Sequence, residues 1–78
     1  MVAITIEISD DTKANLAKLA ERCTEIDQER GGATTHGALD ISRLLQLLVE
    51  DAALVIARPG SWEGTGMAHH LAAHGYEL

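Results

Sequence analysis

The sequence predicts a mainly α protein with one N-terminal strand and a C-terminal tail holding a short helix, the strand pairing with its own copy in a homodimer. Three observations lead there. Residues 2–8 alternate Val2, Ile4, Ile6 and Ile8 with Ala3, Thr5 and Glu7, the period-2 pattern of a strand with one buried face. Two later stretches place apolar residues at helical spacing, and no second strand pattern follows. Finally, 46% of the 78 residues are hydrophobic, yet they include only one Trp, one Tyr, no Phe and one Cys. The core is therefore aliphatic and without a disulfide. A chain this short buries only about 60–65% of its unfolded surface, and such a core is usually completed by a partner.

Each element has its own justification. The strand cannot satisfy its backbone groups alone, so Val2, Ile4, Ile6 and Ile8 are expected at a dimer interface. Ser9 is a helix N-cap, and Asp10 and Asp11 sit well against the dipole of the first turn. Leu16, Leu19, Ala20, Cys23 and Ile26 form one apolar stripe over a helix of about residues 10–27, with Lys13, Lys18, Glu21, Arg22 and Glu25 off it. Residues 27–38 read as a polar, glycine-containing connection. Asp40 is a second N-cap, with Leu39 and Leu44 at the positions of a hydrophobic staple.

The second helix carries Ile41, Leu44, Leu45, Leu48, Val49, Ala52, Val55 and Ile56 on one stripe, with Leu47 and Leu54 outside it. A helix apolar around most of its girth is buried on most sides. Leu44, Leu47, Leu48 and Leu54 are accordingly expected to join the dimer interface. Arg58-Pro59-Gly60 stops this helix. A short helix from Met67 to His74, ended by Gly75, is expected in the tail. The chain thus divides into a domain of residues 1–57 and a tail of residues 58–78.

Twelve acidic residues against six basic ones give a net charge of −6. That balance disfavours sequence-blind nucleic-acid binding, where a basic face supplies most of the affinity. The start lacks a signal peptide's basic and apolar regions, and Gln46, Glu50 and Asp51 break the longest apolar stretch, so no membrane association is expected. A lone Cys23 fits a reducing compartment, and the expected location is cytoplasmic.

The passage Ile4-Thr5-Ile6-Glu7-Ile8-Ser9-Asp10-Asp11-Thr12, followed by Leu16-Ala17-Lys18-Leu19-Ala20, resembles the strand-to-helix passage of the ribbon-helix-helix family of DNA-binding proteins. Leu44-Leu45-Gln46-Leu47-Leu48-Val49-Glu50-Asp51-Ala52 is similar to the family's second helix. The resemblance implies an intertwined homodimer whose antiparallel ribbon enters the major groove, and hence a small transcriptional regulator, either a repressor or an antitoxin-like protein. A two-stranded ribbon fits that groove. The implied DNA-binding residues are Ala3, Thr5 and Glu7 on the ribbon, with Ser42 and Arg43 near a phosphate at the start of the second helix. Two departures bear on this reading. Glu7 brings a carboxylate to a polyanion, and Asp40 puts another where the phosphate would sit.

Other signals carry less. Thr5 and Glu7 serve equally as a solvated outer face. Gly31-Gly32-Ala33-Thr34-Thr35-His36-Gly37 lacks the lysine and preceding strand of a phosphate loop and reads as a flexible linker. His69, His70 and His74 are metal candidates short of a full ligand set, so no metal or other cofactor is expected. No nucleophile, base and orienting group occur together, so the chain does not read as an enzyme. Trp62, Met67 and Tyr76 either fold back on the body or form a surface for a protein partner. The alternative to DNA binding is an acidic scaffold of the same fold that binds a toxin or a nucleic-acid-binding protein.

Overall fold

A computed structural model describes all of residues 1–78. It contains three helices, α1 (Asp10–Glu29), α2 (Ile41–Ala57) and α3 (Trp62–Ala73), and no strand or sheet. The expected N-terminal strand is corrected by this result. Residues 1–9 have no regular secondary structure, and Val2, Ile4, Ile6 and Ile8 are 91%, 87%, 70% and 44% exposed rather than turned to a core. Alternation decides which side chains would share a face of an extended segment. It does not supply the neighbour whose backbone must complete the hydrogen bonds, and this chain has no second strand. The ribbon-helix-helix architecture, with its strand-paired intertwined homodimer, is therefore not the fold.

The chain forms two compact units, Met1–Ser42 and Arg43–Leu78. In the first, α1 begins at its cap. The Ser9 hydroxyl oxygen accepts from the Thr12 backbone N–H at 3.1 Å, and Asp10 and Asp11 occupy the first turn. The helix ends in a Schellman motif. The Gly32 N–H donates to the Asp27 carbonyl at 2.9 Å and the Gly31 N–H to the Gln28 carbonyl at 3.0 Å. Gly31 takes φ +63°, a left-handed conformation natural to glycine.

The connection that follows lacks regular structure but is fastened back onto α1. The Leu39 N–H donates to the Thr24 hydroxyl oxygen at 2.8 Å, and the Leu39 and Ala20 carbonyls both lie 3.0 Å from that hydroxyl as acceptors. One turn further on, the buried Asp27 carboxylate accepts from the Thr34 hydroxyl, which itself accepts from the Gly37 N–H at 3.2 Å. The segment expected to be a flexible linker is thus held at both its middle and its end.

In the second unit, a tight connection joins α2 to α3. The Arg58 N–H closes the last turn on the Leu54 carbonyl at 2.9 Å, and the Ser61 N–H donates to the Arg58 carbonyl at 3.0 Å. Pro59 follows Arg58 at the turn position its fixed φ suits. Ser61 caps α3 by accepting from the Gly64 N–H at 3.0 Å while donating to the Arg58 carbonyl at 2.7 Å. Helix α3 consequently starts at Trp62, five residues before the expected Met67, and it ends in a second Schellman motif at Gly75. Gly64 is buried because a Cβ there would lie 2.8 Å from the carbonyl oxygens of both Leu54 and Arg58.

The interior is thin. Ala20 and Leu44 are the only buried hydrophobic residues, and no large side chain is fully enclosed. The chain exposes 6530 Å² in all.

Candidate protein-interaction surfaces

Three surfaces hold most of the exposed apolar side chains, with Leu19 of α1 and the terminal Leu78 outside them. The first is the N-terminal segment. It is anchored at Ser9, and beyond that cap every residue from 1 to 8 is exposed. Ala3, Thr5 and Glu7, the expected DNA-reading positions, lie on this segment between the isoleucines and are equally exposed. Its only ionisable side chain is Glu7.

The second surface is on α2. At 100° per residue its positions fall into three arcs. Leu44, Leu47, Asp51, Leu54 and Val55 share one arc of about 100°, and all five are buried or half-buried. Ile41, Leu45, Leu48, Val49, Ala52 and Ile56 share the adjacent arc. Ile41 and Leu45 are half-buried at the N-terminal end, while Leu48, Val49, Ala52 and Ile56 are exposed, Leu48 at 36%, Val49 at 64% and Ile56 at 85%. Ser42, Arg43, Gln46, Glu50, Ala53 and Ala57 make up the third arc, where Gln46 donates to Glu50 at 2.9 Å. Of the residues expected at a dimer interface, Leu44, Leu47 and Leu54 thus lie on the covered arc and Leu48 on the open one. Ser42 and Arg43, the expected phosphate positions, are exposed in the first turn.

The third surface belongs to α3. Trp62 is 93% exposed and stands beside an open cavity of about 450 Å³ lined by Gly60, Ser61, Trp62, Thr65, Gly66 and His69. Met67 is half-buried and Tyr76 exposed. The three residues expected to form a partner surface therefore differ, with Trp62 the most open. The His70 and His74 rings meet edge to face, with centroids 4.9 Å apart. No group of three or more His, Cys, Asp or Glu side chains is placed to hold a metal ion.

Charge is spread over α1. Arg22 pairs with Glu25 at 3.1 Å and with Glu29 at 3.8 Å, both at exposed positions, where such pairs contribute at most about 1 kcal/mol. No helix is long and apolar enough to cross a membrane.

Sequence reading missed the Thr24, Asp27 and Thr34 anchors, which join residues 7 to 15 apart and carry no local signature. It expected α2 to be buried on most sides, with Leu44, Leu47, Leu48 and Leu54 at a dimer interface, but did not separate the arc that the chain itself covers from the one it leaves exposed. Comparison with protein-family models, curated proteins and solved structures returns no match.

Proposed function

We propose that this chain is a non-enzymatic interaction module of the cytoplasm that acts by binding another protein, with residues 2–8 as the docking segment. The observation that carries the reading is the N-terminal segment itself, in which Val2, Ile4 and Ile6 are each at least 70% exposed and no chain neighbour pairs with the backbone. Segments of this kind bind proteins by adding a strand to an exposed sheet edge. Main-chain hydrogen bonds then supply affinity, and pockets for alternate side chains supply specificity. Here those alternate side chains are Val2, Ile4, Ile6 and Ile8. A net charge of −6 favours a basic partner, by faster encounter and by exclusion of acidic competitors. A lone Cys23 fits the reducing compartment.

Major-groove reading by a ribbon needs two paired strands, and the chain has none. The acidic balance points the same way, since DNA affinity rests largely on Lys and Arg neutralising phosphates. The protein reading is therefore preferred to the regulatory one.

The test uses immobilised full-length chain in an extract of the source cells. The expected result is one basic protein retained in stoichiometric amount, and lost when Ile4→Asp and Ile6→Asp are introduced together while the helical circular dichroism is unchanged. Retention of the same protein by the double variant would overturn the assignment of residues 2–8. Selective micromolar binding to DNA from the chain's own upstream region, without a protein partner, would overturn the reading as a whole.

A further inference from the structure

Gly66 weakens α3 without packing against anything. Inside a helix, glycine is markedly worse than alanine. Gly64 has its reason in the Leu54 and Arg58 carbonyls, but a Cβ on Gly66 would meet nothing within 4 Å, nor would one on Gly60. Both glycines line the open cavity of about 450 Å³ beside Trp62, a volume inside the range of about 300–1,000 Å³ common to ligand sites. Side chains at these two positions would take up part of that space. A helical glycine surrounded by open space suits close approach of a ligand to the backbone. We infer that this cleft takes the guanidinium group of an arginine side chain on a basic protein, stacked on the Trp62 indole.

The lining selects that group by its charge, its shape and its hydrogen-bonding capacity. Trp62 is 93% exposed, and the face of an indole attracts a cation better than any other side-chain ring. The Ser61 hydroxyl commits its proton to the Arg58 carbonyl at 2.7 Å, and the Thr65 hydroxyl commits its own to the Pro59 carbonyl at 3.3 Å. Only lone pairs remain on these two oxygens, so the ligand brings the donors. A guanidinium is planar, carries five donors and stacks on an aromatic face, whereas an ammonium is a compact and strongly hydrated point charge. A net charge of −6 favours encounter with a cation.

The N-terminus of α3 would by itself suit an anion. Here, however, the Glu63 carboxylate occupies the first turn, and neither lining hydroxyl has a proton left to donate. His69 lines the cleft seven residues, or about 10 Å, along α3 from Trp62. That leaves room for the aliphatic stem of the arginine to lie over Gly66. The inference goes beyond the docking of residues 2–8 and shares no residue with that segment.

The experiment is a fluorescence titration of the full chain, in which Trp62 is the only tryptophan and so reports on this cleft alone. The probe is the peptide acetyl-Gly-Arg-Gly-amide at constant ionic strength, compared with the same peptide carrying lysine or citrulline in place of arginine. The arginine peptide is expected to shift Trp62 emission saturably, with a midpoint on the order of 1–10 mM. It should bind at least about threefold tighter than the lysine peptide, which cannot stack, and the citrulline peptide, which is planar but uncharged. Gly66→Ala is expected to weaken binding about tenfold or more while raising the urea midpoint of the chain, a split that loss of structure cannot produce. An emission unmoved by the arginine peptide at about 50 mM overturns the inference, as does an equal response to the lysine or citrulline peptide. Equal binding by the wild-type and Gly66→Ala chains overturns it too, because Gly66 would then be no part of the site. Inorganic phosphate shifting the emission where the arginine peptide does not would overturn it in favour of an anion site. Failure of Ile4→Asp and Ile6→Asp to abolish partner capture bears only on residues 2–8, since this titration uses no captured protein.

Discussion

The same substitution at two glycines of α3 is expected to act with opposite sign. Gly64 and Gly66 lie two residues apart within one helix, and alanine is the better helix former at both, by about 1 kcal/mol. At Gly66 nothing lies within 4 Å of a built Cβ, so Gly66→Ala should stabilise by close to that amount. At Gly64 the Cβ would stand 2.8 Å from the carbonyl oxygens of Leu54 and Arg58. Those oxygens are backbone atoms already in use. Leu54 accepts from the Arg58 N–H, and Arg58 accepts from the Ser61 N–H and hydroxyl. Neither can swing aside as a side chain can, so relief requires α3 to move off the end of α2. Overpacking of this kind costs about 1–3 kcal/mol, which outweighs the propensity gain and leaves Gly64→Ala destabilised by about 1 kcal/mol. The two variants should then differ by about 2 kcal/mol. Urea denaturation followed by circular dichroism at 222 nm would separate their midpoints by about 2 M, taking a slope near 1 kcal/mol per molar for a chain this small. A Gly64→Ala midpoint equal to or above that of Gly66→Ala would refute the close packing of α3 on the α2 terminus.

Two further substitutions address the anchors. Ser61→Ala removes both the acceptor for the Gly64 N–H and the donor to Arg58, and should lower stability by about 1–2 kcal/mol, seen as an earlier urea midpoint. Replacing Thr24 by its isostere valine leaves the Leu39 N–H and carbonyl without their partner on α1. That change should cost about 1–3 kcal/mol and raise amide hydrogen exchange at Leu39, with Thr24→Ser recovering most of the loss.

What was legible in the sequence was local. Ser9, Asp10 and Asp11 mark the start of α1 because a cap and a helix dipole act within one turn. Gly75 marks the end of α3 for the same reason. The start of α3 was obscured by Gly64 and Gly66, which read as weak helix formers. Gly64 is there because two carbonyls leave no room for a side chain, a constraint set by the end of α2. The alternation over residues 2–8 is real, yet a strand depends on a neighbour that a sequence does not specify, and this chain contains none. Likewise the periodicity of α2 located its apolar arcs but not their division into one covered by the chain and one left open. Of the expected site residues, Thr5, Glu7 and Trp62 are exposed as a contact residue must be, although the two-stranded frame meant to present the first two is absent.

Capture by the full-length chain tests most directly whether residues 2–8 are a docking segment, since Val2, Ile4 and Ile6 are each at least 70% exposed there. One basic protein retained by the wild-type chain, and lost when Ile4→Asp and Ile6→Asp are introduced together with the helical circular dichroism unchanged, is the expected result. Equal retention of that protein by both chains would contradict it.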